Sequence, residues 1–378
     1  MSNRVLRDQL LTGFAYNYWF VCAECGTRIE VSAADYALQC TMRAPYPICR
    51  CGVEVDISAV SPTLRDTNDI ASEGDSVDSL FWYHTSRYEN WPDSEAYTAD
   101  VTEQVAQVKG GYGFDGERYL RTKTSLALHL GTYESAIENM LRRLRDQDIG
   151  DPNRIRYWLH RVQIRLEPGD VDPHVGPEFA SFMGDVALSD LQDRGARAVR
   201  YINVHEAAGA ISLAIDRDVI VAVSTIELPV TLAAVAATPT ANEAISTARR
   251  VLSEIERLRP DTTGIAAADL RLAVLFGEPR DPTDPESIRI HTLARQLDDY
   301  EDRWRAVCTE LNDVLLSEYL PRANEQVRER FLDAVSHGDS PAKYHARFRM
   351  LASLIDRADS VISTFASAPP KILKSGDV

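Results

Sequence analysis

Six cysteines occur in the chain, and five of them fall within the first 51 residues. The groups Cys22-Ala23-Glu24-Cys25-Gly26 and Cys49-Arg50-Cys51-Gly52 each end in glycine. Glycine admits the positive φ of a tight turn, and amides in such a turn can donate hydrogen bonds to thiolate sulfur. Two such turns supply four thiolates, the closed tetrahedral set that structural Zn²⁺ prefers. Cys22, Cys25, Cys49 and Cys51 are therefore the expected metal ligands. The second pair is one residue tighter than the usual spacing, which leaves Cys40 as an alternative ligand. A full shell of four sulfurs keeps no open position for a reacting water, so the expected role is structural. Cys308 stands apart in a helical seam and reads as a small core residue.

Trp19-Phe20-Val21 and Val53-Glu54-Val55, which flank the cysteine pairs, alternate as short strands do. Over residues 17–57 the sequence resembles the zinc-ribbon family. A segment this short builds little core of its own, so a metal staple is its expected source of stability.

A second set of chemically capable residues lies further on. Leu80-Phe81-Trp82-Tyr83-His84-Thr85-Ser86-Arg87 places a histidine and two hydroxyls at the end of an apolar strand. Leu126-Ala127-Leu128-His129-Leu130-Gly131-Thr132 leads into an amphipathic helix containing Glu134, Ala136 and Arg142. Arg200-Tyr201-Ile202-Asn203-Val204-His205-Glu206 crowds polar side chains ahead of a turn at Gly209. At these three places residues 80–228 resemble the ADP-ribosyltransferase superfamily. That resemblance implies NAD as cofactor. His84, with Thr85 or Ser86, would hold a ribose and the nicotinamide amide, and His129 would take the second-strand position where many members have tyrosine. Glu206 would be the late acid that stabilises an oxocarbenium-like transition state, because a fixed carboxylate serves a developing positive charge better than water does. Arg87 or Arg142 would meet the pyrophosphate. Gly131 and Thr132 could instead face the nucleotide together with His129, as in the RNA 2′-phosphotransferase branch of the superfamily. Each residue also admits a structural role: His84 as a strand cap, His129 as a core histidine, Asn203 and Glu206 as turn formers.

Gly110, Gly111, Gly113 and Gly116, with Tyr112 and Phe114, read as a flexible loop between the first two strands. This segment is not expected to be a Gly-x-Gly-x-x-Gly turn followed by a helix, and Walker-type Gly-Lys-Ser/Thr, Gly-x-Ser-x-Gly and His-Glu-x-x-His do not occur in the sequence, so hydrolase and zincin chemistries have no motif. Asp170, Asp172 and His174 alternate as metal ligands can, but among Pro168, Gly169 and Pro173 they read as a surface turn.

These residues need elements to position them. Strands are expected at 80–86, 125–130, 156–166, 199–204, 210–215 and 219–228, from β-branched and aromatic content with turn-like flanks. A helix is expected at 133–145 from the spacing of Ala136, Ile137, Met140, Leu141 and Leu144, with Thr132 as N-cap. This is an α+β pattern without strict βαβ alternation. Residues 61–79 carry almost no apolar periodicity and read as an acidic linker. From residue 241 onward the chain reads as helical. Seams run through Leu293, Leu297, Tyr300, Trp304, Val307, Leu311 and Val314, through Tyr344, Phe348, Leu351, Ile355, Ala358, Ile362 and Phe365, and through Ala244, Ala248, Val251, Ile255 and Leu258. Such seams pack as an intrachain bundle or as a coiled coil between subunits, which would make a homo-oligomer. The expected organisation is a zinc ribbon at 1–60, a linker at 61–79, an α+β domain at 80–230 and a helical bundle at 241–368.

Composition bounds the partners. The chain has 378 residues with 41 Lys and Arg against 57 Asp and Glu, a net charge of −16. Residues 54–100 hold eleven acids against Arg65 and Arg87, a net of −9, whereas residues 1–53 hold five arginines against four acids. The balance argues against an extensive duplex-DNA footprint but leaves room for a local contact by the near-neutral ribbon. The most apolar stretch, 219–237, contains Glu227 and Pro229 and is too broken to span a bilayer, and residues 1–14 lack the pattern of a signal peptide. The expectation is an intracellular, cytoplasmic ADP-ribosyltransferase-like enzyme acting on a macromolecular target. The alternative is a non-catalytic zinc-ribbon and helical scaffold that binds partner proteins or nucleic acid.

Overall fold

The computed structural model describes residues 6–41, 45–107, 115–146, 156–178, 185–229, 235–335 and 340–373. Of the glycine-rich loop expected at 110–116, residues 110–114 lie outside the described residues. Gly116 is not loop but the first residue of a helix, Gly116–Thr124, capped by Asp115, so the glycine spacing does lead into a helix. Two compact units divide the chain. The first comprises Met1–Ala234, Arg322–Ala334 and Met350–Val378, and the second Val235–Pro321 and Val335–Arg349.

In the first unit, β1 (Tyr18–Val21) and β2 (Arg28–Val31) pair antiparallel and lead into α1 (Ala33–Cys40). Ser32 caps α1, accepting from the Asp35 amide at 3.1 Å. There follow β3 (Trp82–Ser86), α2 (Ser94–Gln107), α3 (Gly116–Thr124), β4 (Leu128–Leu130) and α4 (Tyr133–Asp146). Then come β5 (Tyr157–Ile164), β6 (Val171–Pro177), α5 (Leu188–Asp193), β7 (Ala198–Ile202), β8 (Ile211–Ile215) and β9 (Ile220–Leu228). All six strands expected from residue 80 onward are present, as is the helix after Thr132. The second unit is built from α6 (Pro239–Glu256), α7 (Ala267–Phe276) and α8 (Pro285–Tyr319). The chain then returns to the first unit as α9 (Glu325–Ala334), and α10 (Pro341–Asp356) begins in the second unit and ends in the first. The first unit is completed by α11 (Ala358–Ser363) and β10 (Lys371–Ile372).

Two four-stranded sheets form the body of the first unit, in the orders β10-β9-β5-β3 and β4-β8-β7-β6. Only β6 and β7 run parallel. The sheets meet where Tyr83 and Gly131 exchange both backbone hydrogen bonds, at 2.9 and 3.0 Å. Trp82, Val162, Ile164 and Val223 from one sheet pack with Leu130, Ile211, Leu213 and Ile215 from the other in one apolar core. Full burial of each such side chain stabilises the fold by about 1.5–3 kcal/mol, which fixes the join between the sheets.

Several expectations are corrected. Residues 61–79 are not a linker: Ala71 and Val77 are fully buried, and the Trp82 indole donates to the Val77 carbonyl at 2.9 Å. Small, widely spaced apolar residues fill this part of the core without any periodicity. Gly209 explains part of the docking, because at its φ of +83° a Cβ would lie 2.9 Å from the Thr63 oxygen and the Arg65 nitrogen. The segment around Asp172 and His174 is the edge strand β6 and not a surface turn. The partner of β1 is β2, and Val53-Glu54-Val55 contributes only a single bridge between Ile48 and Glu54.

The C-terminal third is also not one bundle over 241–368. In the second unit α6 and α7 pack along α8. The buried stripe of α6 is Ala241, Ile245, Ala248, Leu252 and Ile255, rotated from the expected seam, and Leu258 stays exposed. The continuous seam expected from Tyr344 to Phe365 is broken at Arg357, between α10 and α11. The helix α9 belongs to the first unit because Arg330 pairs with the buried Glu138 of α4 and the Asn324 amide donates to the Phe14 carbonyl at 2.8 Å.

Candidate functional site

The metal-binding residues come together as the spacing implies. One candidate sulfur from each of Cys22, Cys25, Cys49 and Cys51 lies within 4.8 Å of every other. Each cysteine pair is folded by the same device. The Gly26 amide donates to the Cys22 carbonyl at 2.9 Å and the Gly52 amide to the Cys49 carbonyl at 2.8 Å. Gly26 and Gly52 hold φ values of 69° and 87°, as the tight turns require. Sulfur–sulfur distances of 3.7 Å (Cys22 to Cys51) and 3.5 Å (Cys25 to Cys49) match a tetrahedron. Zn–S bonds of about 2.3 Å would set those edges near about 3.8 Å. Hydrogen bonding with Thr27 lowers the Cys25 thiol to about 6. Cys51, despite a lowering hydrogen bond from Val53, is pushed up to about 12 by sharing with the other sulfurs, so four thiolates together need a cation. The four residues therefore fit a structural ion such as Zn²⁺. Cys40 is exposed at the end of α1, outside this group.

The second constellation gathers around α4. Helical periodicity gives this helix three working faces. Toward β3, the Thr85 hydroxyl donates to the Ala136 carbonyl at 2.9 Å and Arg143 donates to the Thr85 carbonyl at 3.2 Å. Toward residues 203–206, Asn203 donates to the Ser135 hydroxyl at 2.8 Å, and Asn139 and Arg142 both donate to Glu206. Toward the N-terminal segment, Glu134 accepts from the Thr12 and Gly13 amides at 2.8 Å, and Glu138 accepts from the Tyr16 hydroxyl.

His84 and His129 meet at the join of the sheets. His84 Nδ1 lies 2.9 Å from the His129 carbonyl oxygen, and His129 Nδ1 lies 2.8 Å from the Tyr201 hydroxyl. Burial lowers the His84 imidazole well below its ordinary range and shifts His129 in the same direction, so the neutral forms are favoured. Both residues are intermediate in exposure, and they belong to different surroundings, His84 beside Trp91 and His160 and His129 beside Tyr201. Thr132 caps α4, accepting from the Ser135 amide at 3.1 Å. Gly131 admits no side chain, since a Cβ would stand 2.8 Å from both Ser135 Cβ and Ser212 Oγ.

The remaining expected residues serve the fold more directly. Thr85 and Ser86 are buried, and Ser86 accepts from the Tyr88 amide at 2.9 Å while its hydroxyl donates to the Tyr88 carbonyl at 2.8 Å. Arg87 pairs with Asp100. Glu206 is buried at 6% exposure against Arg142 and Asn139. Its neighbour Glu178 is raised by burial and then by the negative charge of Glu206.

Several residues of this region carried no sequence signal of their own. His160 of β5 is fully buried, with Nδ1 at 2.9 Å from the Thr225 hydroxyl and Nε2 at 3.2 Å from the Ser86 hydroxyl. Trp91 stacks on His84 at 4.4 Å. The one local pattern that bears on its placement is the alternation along β5, which sets His160 on the same face as Val162 and Ile164. The pairing of Glu138 with Arg330 had no local signal at all.

No protein-family model matches the chain, and no curated protein or solved structure matches it either. Among the described residues no helix is long and apolar enough to cross a membrane.

Proposed function

We propose that the first unit is an ADP-ribosyltransferase-like NAD site, with the zinc-binding module as a structural attachment. The observation that carries this reading is the arrangement around α4. His84 Nδ1 reaches the His129 backbone carbonyl shortly before α4 begins, and Glu206 is clasped by Asn139 and Arg142 two turns into the helix. In the reaction, the bond between the nicotinamide nitrogen and C1′ of the ribose breaks, and its electron pair leaves with nicotinamide. The positive charge left on the ribose is met by the Glu206 carboxylate. A nucleophile on a macromolecular target then forms a bond to C1′ and loses its proton. Arg142 and Asn139 hold that carboxylate in one orientation, which favours preorganised stabilisation.

Two assays test this reading: calorimetric titration of the zinc-loaded full chain with NAD, and chromatographic detection of released nicotinamide. Glu206→Gln is expected to abolish release while zinc content stays unchanged. Absence of both NAD binding and nicotinamide release defeats the proposal. A second reading, the partner-binding scaffold, is favoured by one observation in the second unit. Leu272, Leu275 and Phe276 lie at helical spacing on α7, and the last two are 76% and 70% exposed.

A further inference from the structure

In the second unit, α7 carries more apolar surface than the unit covers. Apart from Asp269 and Arg271 every residue of this helix is apolar, a composition that belongs to a helix enclosed on all sides. Although α7 packs along α8, only Leu270 of its five large apolar residues is buried, and Leu272, Val274, Leu275 and Phe276 are exposed. Leu272, Leu275 and Phe276 stand at i, i+3 and i+4 and so share one face. The charges around that face have an ordered arrangement. Asp269 and Arg271 lie toward the N-terminus of α7, and Glu278 and Arg280 follow its Gly277 cap. All four are exposed, and none pairs with an opposite charge among the described residues. The arginines before and after them in the chain, Arg259 and Arg289, do pair, with acids one turn away. Read backwards, the order of the four signs is its own complement. A copy of α7 laid antiparallel, about a twofold axis between residues 274 and 275, sets Asp269 against Arg280 and Arg271 against Glu278. The twofold axis makes each pair twice, with the apolar face at the centre.

We propose that α7 is a homodimer interface, on which a second copy of this chain packs its own α7 antiparallel. Leu272, Leu275 and Phe276 form the apolar centre, and the Asp269–Arg280 and Arg271–Glu278 pairs form the rim. The charge order is what selects a second copy, because an unrelated partner imposes no such symmetry on this chain. It also selects the direction, since a parallel copy would set like charges opposite each other. A centre of three side chains is small beside the about 800 Å² per partner of a standard interface, so the dimer is a weak one, with a Kd of about 1–100 μM. The inference rests on the same exposed face as the scaffold reading and names its partner, and it is independent of NAD chemistry in the first unit.

Analytical ultracentrifugation of the full zinc-loaded chain, from about 1 μM to about 500 μM, should show monomer passing to dimer. Leu275→Arg should weaken association at least about thirtyfold, or about 2 kcal/mol. Because Leu275 is exposed, that variant should keep the melting temperature and circular dichroism of the unchanged chain at monomeric concentrations. Arg271→Glu and Glu278→Arg each create two like-charge pairs across the axis, and each should weaken the dimer about tenfold at low salt. An equal mixture of these two variants should associate to within about threefold of the unchanged chain, because the mixed dimer restores opposite charges at both pairs. A chain that stays monomeric over the whole range overturns the proposal. So does a dimer indifferent to Leu275→Arg, or a mixture that associates no better than its components. A monomer that binds a different protein through α7 would leave the scaffold reading standing and overturn this one.

Discussion

Acid should loosen the first unit through His160, and the size of the effect follows from how that ring is held. The imidazole is fully buried, its two nitrogens engaged by the Thr225 and Ser86 hydroxyls, with the Trp91 ring 5.1 Å away. Burial lowers its pKa to about 3. In the unfolded chain the same group titrates near about 6.5. Between these values the unfolded state binds a proton that the native state refuses, so stability falls as pH falls. The contribution is intact above about pH 6.5 and is lost progressively toward pH 3. For this one group the loss between pH 7 and pH 5 is about 2 kcal/mol, and the limiting slope is about 1.4 kcal/mol per pH unit. His84 and His129 are lowered in the same direction by burial and add to the slope. Urea unfolding followed by tryptophan fluorescence at pH 7, 6 and 5 measures the total. His160→Gln, which has no proton to take up, should reduce the slope by about one proton between pH 6 and pH 5. Histidine ring resonances of the folded protein give the direct check. A His160 signal that titrates near pH 6.5 without unfolding would refute the reasoning.

Two further outcomes follow from the geometry. The purified chain should carry one Zn²⁺ bound by Cys22, Cys25, Cys49 and Cys51. Chelation or Cys25→Ser should lower the melting temperature and abolish stoichiometric metal by elemental analysis, whereas Cys40→Ser should leave metal content unchanged. Glu138→Gln should destabilise the first unit by about 3–5 kcal/mol in denaturant melts, because it strands the buried guanidinium of Arg330. Adding Arg330→Met to that variant should recover part of the loss, a non-additivity that a double-mutant cycle reads.

What the sequence discloses depends on how local its cause is. The two cysteine turns were legible because each is complete within five residues, glycine included. The strands that carry His84, His129 and Tyr201 were legible because β-branched and aromatic runs are bounded by turn residues. The edge strand β6 was not, because half of its surface is exposed and Pro173 and Gly176 interrupt its pattern. The packed segment containing Ala71 and Val77 reads as a linker because two small apolar residues make no period. The return of α9 to α4 joins residues 192 positions apart, and no pattern near Glu138 points to Arg330. For the candidate site, the types of residue were legible, but the hydrogen bonds that clasp them were not. Those depend on partners such as Tyr201 and Arg142 that the chain brings together only on folding.

The helix α4 explains why these separate features bear on one another. Its residues 134 and 138 hold the N-terminal segment that leads to the metal-binding turns, and its residues 135, 139 and 142 hold the segment 203–206. Thr85 and Arg143 join it to β3. A helix restrained on three faces has little freedom to shift or rotate. Its first turn, capped by Thr132 and pressed against Gly131, therefore fixes the spacing of the two histidine-bearing strands before any ligand arrives. Ordering costs that would otherwise oppose ligand binding at these strands are met during folding. The buried Glu138 and the largely buried Arg330 contribute to that restraint from the side of α9. Their pairing ties α9 to the same helix that clasps Glu206.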